Sequence, residues 1–457
     1  MDRARASALS RQIMLDFMQM RSFVEDPLVI ERADGVRVWD AEGKSYIDGL
    51  SGIFVVNMGH NRPEIVAAVA EQLGKVAFAP QMATSQAELE LGDLMMRITP
   101  ARYTQVKFFS GGSEATEGAI KMARQYHRQT GNPGKYKVLT HYRGYHGATG
   151  HSMAATGWAR YRSPFEPLAP GFVKMHTPDS YHPLVPAPPE GLGAAYARLV
   201  EEQVVQEGAE TVAAIMTEPI MMSAGVIVPP PGYLRALREI ADRHAVLLIF
   251  DEVITGFGRT GRLFGMEHSG VEPDLFCCGK GMSGGYAPLS GLVISERVAA
   301  AFWGDPEALV QFHAGHTYGG NPVACAAGLA ATRVLLETGL LESGARVGAY
   351  AKERLRELAR RHRTVGDVRG EGMLLGLEFV AERAGRRRFG DEVAFGNRVQ
   401  AAARRRGLLL RASPWFTAVA PPLTTTEAEV DELVELLDAA LEEAEASVGL
   451  VGASASR

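Results

Sequence analysis

Cysteine is scarce in this chain, which has three cysteines among 457 residues. Cys277 and Cys278 are adjacent within an apolar run, Cys325 stands alone, and no Cys-x-x-Cys motif occurs. This odd number and spacing argue against a disulfide-stapled scaffold and against a metal framework built on thiolates. We therefore expect reduced, buried thiols and a reducing, cytoplasmic location.

The chain also lacks a strong excess of one charge. It has 48 Lys and Arg against 53 Asp and Glu, a formal net charge of −5. Proteins that bind nucleic acid usually concentrate basic residues on one face, whereas the arginine clusters at 386–388 and 404–406 are brief and mixed with acidic residues. We therefore expect no nucleic-acid partner.

Long apolar runs are absent too. No stretch approaches the roughly 20 apolar residues that a membrane-spanning helix needs. Residues 1–20 mix Arg, Asp and Gln among apolar residues, unlike the uninterrupted core of a signal peptide. The sequence predicts neither a membrane span nor a signal peptide.

Two common cofactor motifs are missing or misplaced. No H-E-x-x-H occurs, and the histidine pairs lack carboxylates at ligand spacing, so we expect no metal site. Residues 256–261 spell G-x-G-x-x-G, but five residues separate them from the preceding strand and a turn follows. A dinucleotide site needs the glycines to open a helix directly. A nucleotide-dependent oxidoreductase is the rival enzyme class that this segment leaves open, and a non-catalytic scaffold is the non-enzymatic rival.

Short apolar runs alternate with segments of helical periodicity through the middle of the chain. At about 150 residues per domain, the length predicts two or three domains. Because several of these runs are almost continuously apolar, they indicate strands buried on both faces of a mostly parallel sheet, and hence an α/β fold. We predict a large domain over residues 60–335 and a smaller α+β domain from residues 1–59 and 336–457. The predicted strands of the large domain are residues 106–109, 137–140, 212–216, 246–250 and 275–278.

Three of these strands are followed directly by residues that could bind a ligand or take part in a reaction. Residues 110–114 form a Gly/Ser turn before a helix, where exposed N–H groups and a serine hydroxyl suit a phosphate, although an ordinary helix cap explains the same residues. Asp251 follows the strand 246–250, at the strand end where open α/β sheets bind ligands. A helix cap or an ion pair is the alternative there.

Lys280 follows the strand 275–278 and is flanked by Gly279 and Gly281. Burying a lysine costs several kcal/mol unless it is neutralised or bonded. The usual alternative is a side chain that reaches solvent, but the flanking glycines would let a ligand approach the backbone closely. A functional lysine is therefore favoured.

In their order along the chain these segments resemble the class III pyridoxal-phosphate-dependent aminotransferases. Residues 249–253 with Gly256, Asp274 and Lys280 are similar to the lysine signature of that family. The resemblance covers nearly the whole chain, and within the family it points to the ω-amine:pyruvate transaminases. Its other motifs are residues 110–114, 144–147, 217–219 and 315–322.

The resemblance implies a fold-type-I enzyme whose cofactor is pyridoxal 5′-phosphate. Lys280 would bind the cofactor aldehyde as a Schiff base and move a proton between the substrate carbon and the cofactor. Asp251 would bond the pyridine nitrogen and keep it protonated. Tyr145 would stack on the ring, and Glu218 would lie near the ring and orient neighbouring groups.

The remaining implied contacts concern phosphate and substrate. Gly112 and Ser113 would bind the phosphate, and Thr317 would add a phosphate contact from a neighbouring subunit. This implies a homodimer and leaves open whether dimers pair into tetramers. Arg411 would bind the keto-acid carboxylate and swing away for amines without one. Phe54 would form an aromatic wall of the substrate pocket, with an ordinary core aromatic as the alternative, and Tyr145 would also contact the substrate.

The implied reaction is ping-pong transfer of an amino group from an ω-amine or amino-acid donor to a keto acid, with pyruvate as the expected acceptor. Residues 413–416, Ser-Pro-Trp-Phe, depart from the pattern of the ω-amine branch and leave the pocket shape open. The alternatives within the family are 4-aminobutyrate, taurine, diamine and diaminopelargonate transaminases, and an aminomutase.

Overall fold

The computed structural model describes residues 2–80, 82–308 and 310–450. Its strands are β1 (Ile30–Asp34), β2 (Arg37–Asp40), β3 (Ser45–Asp48), β4 (Tyr103–Phe109), β5 (Lys137–His141), β6 (Phe172–Met175), β7 (Val212–Thr217), β8 (Leu247–Asp251), β9 (Leu275–Cys278), β10 (Ser290–Ser295), β11 (Val365–Glu371), β12 (Leu374–Phe379), β13 (Leu408–Leu409), β14 (Arg411–Ser413) and β15 (Phe416–Val419).

The α-helices range from one turn to six turns. They are α1 (Arg3–Ser10), α2 (Met20–Glu25), α3 (Ser51–Phe54), α4 (Pro63–Lys75), α5 (Gln86–Ile98), α6 (Gly112–Gln129), α7 (Gly150–Ala155), α8 (Ala159–Arg162), α9 (Leu192–Gln206), α10 (Tyr233–Arg243), α11 (Glu296–Ala299), α12 (Pro322–Glu337), α13 (Leu340–Arg361), α14 (Phe395–Arg406) and α15 (Glu427–Ser447). No single helix in the described ranges is long and apolar enough to cross a membrane; α12 and α13 meet that test only together, across a bend of 67°.

The central sheet has seven strands in the order β4-β10-β9-β8-β7-β5-β6. Strands β5 to β9 pair in parallel, and β10 runs antiparallel to both β4 and β9. Every residue of β7, β8, β9 and β10 is buried, as expected for strands covered on both faces. The predicted α/β fold with a mostly parallel sheet is confirmed.

Helix α6 covers one face of this sheet with small side chains. Ala115, Ala119 and Met122 are buried on it against the sheet residues of the same apolar cluster. Gly118 allows the closest approach, because a Cβ there would lie 2.5 Å from Cζ of Phe109. This close packing fixes the first turn of α6 against the end of β4.

Two smaller sheets are built from the chain ends. One has the order β1-β2-β3-β13, in which β13 from the C-terminal part pairs in parallel with β3 from the N-terminal part. The other, β11-β12-β15-β14, is antiparallel. The two ends of the chain therefore share a sheet, while the boundaries predicted after residues 59 and 335 stay a prediction.

The segment 408–411 is divided between two sheets in the structure. Leu408 and Leu409 belong to β13, whereas Arg411 begins β14 in the other small sheet. The chain changes sheet at Leu410, within a continuous apolar run. The hydrophobic pattern of the sequence therefore does not indicate the break. Arg411 thus lies where the chain passes from one sheet to the next.

Candidate active site

The carboxyl ends of the central strands bring most of the predicted site residues together. Asp251 is the last residue of β8, and Glu218 directly follows β7. Because parallel strands end at the same edge of a sheet, residues after them cluster there. A cavity of about 140 Å³, here named the inner cavity, is lined by Gly112, Ser113, Tyr145, Glu218, Asp251 and Lys280, together with residues that include Thr116, His146, Val253 and Ile254.

A second cavity of about 160 Å³, the outer cavity, adjoins the first. The two share Tyr145, Ile254 and Lys280 as lining residues. Phe54 and Arg411 line the outer cavity only. Every predicted substrate-binding residue therefore lies at this second cavity, next to the predicted reactive lysine.

Thr317 is the predicted site residue that the chain does not bring to either cavity. It lines a separate surface cavity with His316, Phe78 and Lys107. The sequence-based expectation placed Thr317 at the site of a neighbouring subunit, and this contact stays a prediction.

Asp251 is held by a hydrogen-bond partner that the sequence analysis did not single out. His146 Nδ1 lies 2.9 Å from Asp251 Oδ2, and the N–H of Val253 donates to Asp251 Oδ1 at 3.1 Å. Both Asp251 and His146 are buried, so water does not compete for this pair. His146 belongs to the 144–147 motif, and the signal for its role was therefore present in the sequence.

Glu218 is a second buried carboxyl group facing the inner cavity. Its Oε1 accepts from the N–H of Tyr145 at 3.3 Å, and its Oε2 accepts from the N–H of Met222 at 3.1 Å. Burial, with a further contribution from the charge of Asp251, raises the pKa of Glu218 to about 8. Near neutral pH the proton therefore stays mostly on Glu218.

Lys280 presents an unpaired amine between the two cavities. Within the described ranges, its Nζ has no hydrogen-bond partner and no carboxylate within 4.0 Å. Burial lowers the pKa of Lys280, and the charges of Asp251 and Glu218 partly oppose this effect. A lysine with a lowered pKa has a larger neutral fraction, and the neutral amine is the nucleophile.

The backbone at Lys280 is also unusual, with φ of 43° in the left-handed region. Such a conformation costs on the order of 1–3 kcal/mol for a non-glycine residue and persists only where the surroundings enforce it. The flanking glycines contact protein rather than leaving room for a ligand, which corrects the sequence-based interpretation. A Cβ on Gly281 would collide with the side-chain amide of Asn57, and one on Gly279 would lie 3.3 Å from Cβ of Ser290.

The start of α6 forms the polar end of the inner cavity. No side chain caps this helix, so its first N–H groups remain available to an anion. Ser113 Oγ accepts from the N–H of Ala148 at 3.1 Å, which leaves its own hydroxyl proton free to donate. A Cβ on Gly112 would lie 2.8 Å from Cγ1 of Val253, so only glycine fits there without movement.

Aromatic and apolar side chains form most of the outer cavity wall. Ser413 and Phe416 line it, whereas Trp415 turns away and packs against Trp158 at 6.1 Å between ring centroids. Phe54 is fully buried. The segment that departed from the expected family pattern is thus part of the cavity wall through its first and last residues.

Comparison with known proteins identifies the family. The family model for class III aminotransferases matches residues 20–441. The chain belongs to the class III aminotransferase family. A probable aminotransferase of Mycobacterium tuberculosis is 37% identical over 445 residues, covering 96% of this chain and 94% of that protein.

Two solved aminotransferase structures are similar over nearly the full length. An (S)-enantioselective ω-transaminase from Thermomicrobium roseum has 39% identity and a TM-score of 0.92, covering 96% of this chain and 98% of that chain. A PLP-bound amine transaminase from an uncultivated Pseudomonas species has 36% identity and a TM-score of 0.89, with coverages of 94% and 97%. The predicted family, fold and enzyme class are confirmed.

The cofactor of this class III aminotransferase is pyridoxal 5′-phosphate, and the inner cavity fits it chemically. The uncapped start of α6 suits a phosphate, the buried Asp251 suits a protonated ring nitrogen, and the unpaired amine of Lys280 suits an aldehyde. The G-x-G-x-x-G segment, in contrast, forms turns without opening a helix. The dinucleotide reading of that segment is therefore not supported.

Proposed function

We propose that this aminotransferase moves the amino group of an ω-amine donor to pyruvate by a ping-pong mechanism. The observation that carries the proposal is the outer cavity, where the unpaired amine of Lys280 and the guanidinium of Arg411 line one space with apolar walls. Apolar walls suit the carbon chain of a donor whose amino carbon carries no carboxylate, and Arg411 suits the keto acid of the second half-reaction. The similar structure from Thermomicrobium roseum is an ω-transaminase, which supports this choice.

The residues of the inner cavity would hold the cofactor. Lys280 would bind its aldehyde, Asp251 its ring nitrogen, and Tyr145 the face of its ring. Gly112 and Ser113 would bind its phosphate through N–H and O–H donors. When bound, the cofactor supplies an electron sink for the negative charge that develops on the substrate carbon.

Each protein group then has a defined task in proton handling. Once the donor amine has displaced it from the aldehyde, Lys280 Nζ would be free to take a proton from the substrate carbon and give it up again on the same face. Asp251 keeps the ring nitrogen protonated, and His146 holds the Asp251 carboxylate at 2.9 Å. Glu218 holds the loop of Tyr145 in place through the N–H of that residue.

Arg411 would distinguish the two half-reactions. Its guanidinium has no carboxylate within 4.0 Å in the described part of the chain, and the ring of Phe17 lies 5.6 Å from its Cζ. A guanidinium binds a carboxylate through two parallel hydrogen bonds. It would therefore bind pyruvate and move aside for an amine without an acid group.

The active unit would be a homodimer. We propose that Thr317 contacts the phosphate of the cofactor bound to the partner subunit, because it lies in a surface cavity away from Lys280 in its own chain. His316 Nδ1 lies 3.6 Å from Glu114 Oε1, so the segment packs on α6 of its own chain through His316 while Thr317 lines the surface cavity.

Visible absorbance tests the proposed donor class. We expect an amine without an α-carboxylate to bleach the absorbance of the bound cofactor, and pyruvate to restore it, because each half-reaction converts the cofactor between two forms. The same experiment with 2-oxoglutarate and glyoxylate ranks the acceptors. Bleaching by α-amino acids alone would contradict the ω-amine proposal.

Replacement of Arg411 by alanine should separate the half-reactions. We expect kcat/KM for pyruvate to fall about 10- to 100-fold, since hydrogen bonds to a charged group contribute about 1.5–3 kcal/mol, and the rate with a simple amine to change less than about threefold. Single-turnover absorbance measures each half-reaction separately. Arg398, an exposed arginine on α14 that lines neither cavity, provides the matched control, and equal losses in both half-reactions of the Arg411 variant would count against the proposal.

A further inference from the structure

The outer cavity contains a second guanidinium that the proposed reaction does not use. Arg160, on the one-turn helix α8, lines this cavity with Arg411. Within the described ranges, neither arginine has a carboxylate within 4.0 Å. The nearby Arg162, on the same helix, has such a partner in Glu166 at 3.3 Å. On α8, therefore, the arginine that lines the outer cavity is the one without an acidic partner.

Arg160 is held in position by aromatic groups. Its Cζ lies 4.7 Å from the ring centroid of Trp158 and 4.8 Å from that of Tyr161. Its Nη2 donates to the hydroxyl of Tyr161 at 3.0 Å, and the ring of Tyr161 meets that of Tyr145 edge-on at 5.7 Å. Stacking limits the freedom of a long side chain and leaves most of its N–H donors free. Arg160 is therefore pre-oriented for an anion.

We propose that Arg160 is a specificity-determining residue that binds an acid group at the far end of the donor. This inference rests on the proposed function and names its substrate class: an amine donor whose remote end carries a carboxylate or a sulfonate. The amine reaches Lys280, which lines the same cavity, and the remote acid group pairs with Arg160. Arg411 remains available for the carboxylate of the keto acid in the other half-reaction.

Paired donors test the inference kinetically. We expect the Arg160→Gln variant to lose about tenfold in kcat/KM with 4-aminobutyrate, equivalent to about 1.4 kcal/mol, and less than about twofold with butylamine, which lacks the acid group. Taurine against ethylamine tests a sulfonate in the same way. The Arg162→Gln variant, which removes a charge from the same helix outside the cavity, should leave all four rates within about twofold of the wild type. Equal losses on acid-bearing and acid-free donors would overturn the inference while leaving the proposed function intact.

A binding measurement tests Arg160 without any turnover. Calorimetric titration of the holoenzyme with glutarate, an unreactive dianion, should show a dissociation constant raised about tenfold by Arg160→Gln. The dissociation constant of butyrate should stay within about threefold, because Arg411 still binds its single carboxylate. An unchanged glutarate affinity would overturn the inference. If no amine without an α-carboxylate bleaches the wild type, the proposed function fails, and the glutarate result still decides whether Arg160 binds an anion.

Discussion

Replacing Lys280 by alanine is expected to lower kcat by at least about a thousandfold, within the range by which positioned acid–base groups accelerate reactions. The substitution removes the amine that we propose binds the cofactor aldehyde and carries the substrate proton. No other lysine lines the inner or the outer cavity, so within the described part of the chain no second amine is placed to replace it. Steady-state turnover of the variant, saturated with cofactor, measures the loss.

The fold of the Lys280 variant should remain. Nζ of Lys280 makes no hydrogen bond within the described ranges, so truncation breaks no stabilising contact of that atom. The Lys280→Arg variant is the matched control for charge, because it keeps a cation but has no amine able to bind an aldehyde. We expect both variants to keep the wild-type far-ultraviolet circular dichroism and to lose turnover. Turnover retained by the alanine variant would contradict the mechanism.

Replacing Asp251 by asparagine is expected to slow the amine half-reaction by at least about 100-fold, comparable to the loss of a preorganised electrostatic group at other active sites. Asparagine keeps the shape and a hydrogen-bond partner for His146, which lies 2.9 Å away. It removes the negative charge that we propose holds a proton on the ring nitrogen, and without that proton the ring would be a poorer electron sink. Single-turnover absorbance with a simple amine measures the rate.

The adjacent Glu252 provides a matched control for Asp251. Its buried carboxylate accepts from the N–H groups of Gly265 and Met266, both at 2.7 Å, and from the hydroxyl of Thr255. It lines neither cavity, so the Glu252→Gln variant should lower the unfolding temperature while keeping the half-reaction rate within about threefold. An Asp251→Asn variant as active as this control would show that the charge of Asp251 is not needed.

Most of the central sheet was predictable because its strands are short, largely apolar and bounded by turn residues. Strands β4, β5, β7, β8 and β9 lie within three residues of the predicted bounds. Two strands were missed. Strand β6 is only partly buried and includes Lys174, and β10 begins with Ser290 and Gly291, which are poor strand signals.

The site was predictable wherever a motif follows a strand end, as at Asp251 and Lys280. Contacts that arise only from tertiary packing carried no such signal. Ile254 and Tyr161 line the outer cavity as ordinary apolar and aromatic residues of the sequence. The sequence also gave no indication of a role for Arg160, because the lack of an acidic partner is seen only in the folded structure. The start of helix α15 differs, because Thr426 and Glu429 have the spacing of a capping box in the sequence, and the structure shows the two residues bonded to each other.

Borohydride treatment followed by peptide mapping tests the central claim most directly. The reagent makes the bond between a lysine amine and the bound cofactor permanent, and mass spectrometry then locates the modified residue. We expect the cofactor on Lys280. Lys174 is the informative comparison, because burial lowers its pKa to about 7 while its amine donates to Thr140 Oγ1 and to the carbonyls of Ala154 and Ala155. Cofactor found on Lys174 or another lysine, with Lys280 unmodified, would contradict the assignment of Lys280.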